Sequence, residues 1–152
     1  MKIIFHDSCF DLYTLFGAEM YLEYGSNSTF SKILNLSLNK ISKISASPGK
    51  LIYINNDKYN NKVYILNRQK KKKIVCQAIM GLNRVFQIEE KVILYNLSNN
   101  RNIYLYISNL IRKIGLSKLL VNKLTFKGIN QEYENILSEI KKFDKKIKEQ
   151  LT

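Results

Sequence analysis

The chain has 152 residues, 45% of them apolar, and 25 Lys and Arg against 12 Asp and Glu give it a formal net charge of +13. This is a folding composition with no apolar run long enough to span a membrane. Two cysteines and one histidine exclude a disulfide framework and a four-ligand metal site.

Residues 1–10 lack the pattern of a signal or transit peptide, and Lys2–Phe5 reads as a short strand. Phe10 to Tyr24 is ambiguous between helix and strand because aromatic residues are frequent and no period is clear. Tyr21–Tyr24 reads as a strand running into the turn Gly25-Ser26-Asn27-Ser28. Ser28 to Ile44 is open, since Phe30, Ile33, Leu34, Ile41 and Ile44 are spaced for a helix while Leu34, Leu36 and Leu38 alternate. Leu51–Ile54 and Val63–Leu66 are β-rich runs around a polar cluster, which predicts a hairpin. Ile74, Val75, Ala78, Ile79 and Leu82 form one helical stripe, predicting a helix from about Gln69 to Met80 stopped by Gly81. Val85–Ile88, Val92–Leu97 and Ile103–Ile107 then read as strands, with Ser98-Asn99-Asn100 as a hairpin turn. Ile111 to Leu120 is less clear, and Leu124–Lys127 reads as a short strand closed by Gly128. Ile129, Tyr133, Ile136, Leu137, Ile140, Phe143, Ile147 and Leu151 share one face of a closing helix, with lysines opposite. The order strands, helix, strands, helix predicts an α+β fold of two similar small domains, each an antiparallel sheet packed against one helix. The first, residues 1–81, ends in a connecting helix; the second, 82–152, ends in the amphipathic helix.

The charge is lopsided. Residues 1–50 sum to +1, whereas Arg68 to Lys127 holds thirteen cations against Glu89 and Glu90, a net +11 in sixty residues. Lysine outnumbers arginine 21 to 4 and there are 17 asparagines, as an AT-rich coding bias would produce. That bias explains the choice of Lys over Arg but not the shortage of acids. Such a density points to a polyanionic partner.

No catalytic or metal constellation stands out. His6 has no second histidine to form a metal pair, and a structural role is favoured for it. Cys9 and Cys76 have no base clearly placed to activate either thiol. Phosphate-loop, dinucleotide and zinc-protease motifs are lacking. The sequence therefore predicts no enzyme, no cofactor and no small-molecule substrate. The positive candidates are cations: Arg68, Lys70, Lys71, Lys72 and Lys73 open the first good helix, where they oppose its dipole and a bound phosphate would relieve the conflict. Arg84, Arg112, Lys113, Lys118, Lys123 and Lys127 extend the set. Tyr95, Tyr104 and Tyr106 alternate beside these cations, a pattern that favours packing over base stacking. Without a recognition helix or an RNP-type aromatic pattern, the expected ligand is structured RNA bound through phosphates and shape.

Several strings resemble the family of the sixth protein of the large ribosomal subunit. Tyr21-Leu-Glu-Tyr-Gly25 with Thr29-Phe-Ser31, Lys50-Leu-Ile-Tyr-Ile54 with Asn56-Asp57, the helix Lys70 to Met80 with Gly81, and Leu124-Thr-Phe-Lys-Gly-Ile-Asn130-Gln131 carry the resemblance over residues 20–145. The "G-Y-R-A" and "L-G-x-S-H" strings and the family's tail are missing. The resemblance implies two similar α+β domains, binding to large-subunit ribosomal RNA among neighbouring ribosomal proteins, and no catalysis. With the composition bias it implies a mitochondrial ribosome, ahead of a plastid or an AT-rich bacterium. The competing expectation is a small phage or plasmid inhibitor, or a toxin-like protein, acting on a nucleic-acid enzyme or on RNA.

Overall fold

The computed structural model describes residues 1–7, 12–26, 28–41, 49–68, 71–87, 89–97, 102–115 and 117–150. Among these residues four strands and five helices form the mixed α and β architecture expected from the sequence. In chain order these are β1 (Lys2–Asp7), α1 (Leu12–Leu22), α2 (Phe30–Ile41), β2 (Leu51–Asn56), β3 (Lys62–Asn67), α3 (Lys72–Val85), β4 (Val92–Asn96), α4 (Ile103–Lys113) and α5 (Lys118–Glu149).

The strands lie in one sheet in the order β2-β3-β1-β4. β1 is central and parallel to both neighbours, with Ile3 opposite Val63 on β3 and Ile93 on β4. Among the described strands only the β2–β3 hairpin is antiparallel, with a register shift between Tyr53 and Asn55. The segments 1–81 and 82–152, read from the sequence as two domains, thus both supply strands to this sheet. Parallel pairing needs long crossovers, and α1 with α2 and then α3 provide them.

One face of the sheet carries most of the core. Ile3, Phe5, Val63 and Ile65 point from it into α1 and into α5 from Ile129 onward, where Ile129, Ile136, Ile140, Phe143 and Ile147 are buried. Phe5 lies 5.5 Å from the Tyr21 ring, 5.2 Å from Tyr95 and 5.9 Å from Phe143. The stripe predicted for the closing helix is this packed face of α5, from Ile129 to Ile147.

α1 is buried on every side, Leu12 through Tyr21. A helix enclosed all round shows no apolar stripe, which is why Phe10–Tyr24 has no clear period. Ser28–Ile44 resolves into α2 at its described residues, with Ile33, Leu34 and Ser37 inward and the Thr29 hydroxyl accepting from the Lys32 amide at 3.4 Å. The hairpin and the strand from Val92 are present as predicted. Other segments read as strands differ: of Val85–Ile88, Val85 closes α3 and Phe86 and Gln87 form a turn, Ile103–Ile107 opens α4, and Leu124–Lys127 lies within α5. The segment Tyr21–Tyr24 likewise begins as the last turn of α1. The proposed turn at 98–100, and Leu151, fall outside the described residues.

Gly128 is a packing glycine rather than a stop. A Cβ there would sit 2.7 Å from Leu105 Cγ, so its absence lets α4 lie close against α5. Asn102 fixes the same junction: its Oδ1 accepts from the Leu105 amide at 3.1 Å, capping α4, and its Nδ2 donates to the Gly128 carbonyl at 3.0 Å. α4 and α5 therefore form an antiparallel helical hairpin.

Candidate functional site

The connections leaving the carboxyl ends of β1 and β3 diverge. β1 feeds α1 on the face that holds Phe5, and β3 feeds α3 on the opposite face, where Cys76 approaches His6. Adjacent parallel strands whose connections part in this way leave a crevice at their carboxyl ends, the usual ligand position in open α/β sheets.

Polar residues gather at these carboxyl ends. His6 and Asp7 end β1 and are buried, and Arg68 follows β3 with its side chain also buried. Arg68 Nε donates to His6 Nδ1 at 2.9 Å, and Nη2 donates to Asn96 Oδ1 on β4 at 3.2 Å. Its backbone amide donates to the Asp7 carbonyl at 3.0 Å. One guanidinium thus ties together the ends of three strands. Arginine only donates, so Nδ1 of His6 is an acceptor and the ring proton sits on Nε2, 3.9 Å from Cys76 Sγ. Among the described residues no group of three His, Cys, Asp or Glu side chains is arranged to hold a metal ion.

The cations following Arg68 begin α3 on the same edge. Lys71 is the N-cap residue and Lys73 lies in the first turn; both side chains are exposed. The first turn holds no acid, and Lys71 makes no side-chain capping bond. A helix end without a side-chain cap and the lysine charges thus meet here. Lys70 lies outside the described residues, and of Lys72 and Lys118 only the backbone is described.

The remaining candidates are elsewhere. Arg84 is exposed in the last turn of α3, twelve residues of helix from Lys72, or about 18 Å. Arg112 is half-buried and donates to Asn109 Oδ1 at 2.8 Å. Lys113 is exposed at the end of α4. Lys123 borders an apolar pocket formed by Leu12, Leu34, Leu38 and Phe126. Lys127 stands 4.6 Å over the Tyr104 ring. The structure therefore brings Arg68, Lys71 and Lys73 to the sheet edge, and groups Arg112, Lys113, Lys123 and Lys127 on the α4–α5 hairpin.

Sequence reasoning did not single out Asn96, and it assigned His6 no partner. The available signal was local: polar residues ending otherwise apolar strands, as in Phe5-His6-Asp7 and Leu94-Tyr95-Asn96. Reading it as a site requires knowing that β1 and β4 are neighbours. Away from this edge, burial pushes the Tyr95 phenol up to about 12, aided by the Glu139 carboxylate. Burial, then the hydrogen bond to Asp57, raises the Tyr21 phenol further.

Fold and edge define the class: a mixed, mainly parallel α/β sheet whose carboxyl end holds buried Arg68 and His6, partly buried Asn96 and exposed lysines. The chain belongs to the family described as "Protein of unknown function (DUF3189)", whose model matches residues 2–145. No match was found among curated proteins or among solved structures.

Proposed function

We propose that the protein binds RNA through its phosphates, with the carboxyl edge of the sheet at the start of α3 as the principal contact. The observation that carries this reading is the placement of Arg68 at the carboxyl ends of β1 and β3, with exposed Lys71 and Lys73 just beyond it on a helix end that has no acid in its first turn and no side-chain cap. The buried Arg68 anchors the backbone from which the exposed lysines project, so phosphate oxygens would meet both lysine charge and helix amides there. The net +11 between Arg68 and Lys127 supports a polymer over a single phosphate.

Large-subunit ribosomal RNA is the first RNA to test and rests on the sequence strings alone, whereas a mitochondrial location rests on those strings together with the composition bias. Both are tested by asking whether the chain co-sediments with large ribosomal subunits.

The site itself is tested by the salt dependence of RNA affinity. The double variant Lys71→Ala, Lys73→Ala is expected to bind more weakly and to reduce the log–log salt slope by about 2, close to one for each phosphate left without its lysine. Unchanged affinity and slope would reject this edge as the binding surface. The crevice itself favours a second reading, a small phosphorylated ligand. A mononucleotide that displaces labelled RNA at equal nucleotide concentration would favour it.

A further inference from the structure

Among the described strands β4 has a neighbour on one side only, β1. The Lys2 amide donates to the Lys91 carbonyl at 2.8 Å, and the Leu97 amide to the His6 carbonyl at 3.1 Å. Alternate residues of a parallel strand bond to a given neighbour, so Ile93 and Tyr95 turn their backbone toward β1. Val92 and Leu94 turn theirs away, and no described residue pairs with those N–H and C=O groups. Proteins ordinarily blunt such an edge with a charge, a proline or a bulge. The opposite edge, β2, has its register shift between Tyr53 and Asn55 and ends in two asparagines. β4, Val-Ile-Leu-Tyr-Asn, carries no charge and no proline and pairs with β1 without a shift.

A groove of about 590 Å³ lies between this strand and the last turns of α5. Ile93, Tyr95 and Phe143 form its apolar side, with the Tyr95 and Phe143 rings 4.5 Å apart. Side chains of a strand alternate between faces, so a strand laid beside β4 would send every second side chain into this groove. Along α5 the groove is bordered by Lys142, Lys145 and Lys146. Lys142 lies 3.2 Å from Glu139 and Lys145 lies 4.0 Å from Glu149, both exposed pairs of small value. Lys146 has no acid partner among the described residues, which leaves one cation for an incoming carboxylate.

Backbone and charge together indicate the occupant. An extended polypeptide satisfies the outward groups of Val92 and Leu94 and fills the apolar slot in the same step. A second copy paired β4 to β4 across a two-fold axis would set the lysines of α5 against their own equivalents. RNA brings no apolar side chains to Ile93, Tyr95 and Phe143. We propose that β4 receives an extended segment of a partner protein as a fifth strand, with apolar side chains at alternate positions in the groove and an acidic side chain against Lys146. The groove is on the α5 side of the sheet, whereas the α3 end proposed for RNA is on the other.

The test selects a display library of random twelve-residue peptides on the full chain. Enrichment is expected for sequences with apolar residues at every second position and at least one acid. The best of these is then made in two forms, N-methylated at alternate amides in one phase or the other. One form should lose affinity at least about tenfold as its main-chain hydrogen bonds to β4 are removed, and the other should retain most of it. Leu94→Pro removes an outward amide and leaves the β1 ladder intact, so it should also lose the peptide. Should that variant fail to fold by circular dichroism, the two methylated forms decide. Lys146→Glu should weaken binding about fivefold, and exchanging the acid of the peptide for lysine should restore it. Lys71→Ala, Lys73→Ala should leave peptide binding unchanged while lowering RNA affinity, which separates the two surfaces. Absence of enrichment, enrichment of basic or non-alternating sequences, or equal loss in both methylated forms overturns the proposal. So does a dimer that Leu94→Pro dissolves in the absence of peptide, or displacement of the peptide by RNA.

Discussion

Two parts of this molecule treat apolar side chains in opposite ways. Between the sheet and the second half of α5, Phe5, Tyr21, Tyr95 and Phe143 interlock, and Phe5 is fully buried. On α3 and the α4–α5 hairpin, residues of the same types face outward: Ile74, Leu82, Val85, Phe86, Ile114 and Leu119 are all exposed. The packed region holds the fold together, while the outward region buries little apolar area and contributes little to folding.

The sharpest break comes from Phe5→Ala. Removing a ring that packs against three others is expected to cost about 3–5 kcal/mol, read as a fall in urea midpoint. Ile74→Ala on α3 should stay within about 0.5 kcal/mol, the value for an exposed site. Equal losses would show that α3 is packed as tightly as the core.

A smaller effect is expected at the boundary between the two parts. Gly128→Ala forces Leu105 or α4 to shift and should cost about 1–3 kcal/mol. Because the clash lies at the hairpin junction, amide exchange should rise in α4 more than in β1.

The smallest effect concerns the buried phenols. The Tyr95 hydroxyl is raised from 10.0 to about 12, so the folded state holds its proton where the unfolded chain releases it. The stabilisation is complete below pH 10 and is lost as pH rises from there through about 12. Tyr95→Phe should therefore flatten the alkaline decline in thermal midpoint, with Tyr21 retaining the remainder. An identical decline would mean that Tyr95 ionises equally in both states.

Elements packed on one side were legible. The β2–β3 hairpin, the strand from Val92 and the stripe of α5 from Ile129 follow from period and turn chemistry alone. α4 reads as a strand because Tyr104 and Tyr106 alternate among β-formers, while the decisive spacing runs on through Leu110 to Ile114, beyond Ile107. Asn102, three residues before Leu105, was the cap that pointed to a helix. Of the candidate site, the lysine run was legible as charge, but its position at a crevice was not.

The sequence by itself determined that the chain folds, where its positive charge is concentrated, and which segments pack one apolar face. It could not determine that β1 lies between β3 and β4, because parallel pairing joins residues some sixty and ninety positions apart without a local turn to announce it. That pairing alone brings His6, Arg68 and Asn96 together. Likewise the exposure of the α4 stripe is a tertiary fact: period predicts that an apolar face exists, and only the rest of the fold decides whether anything covers it.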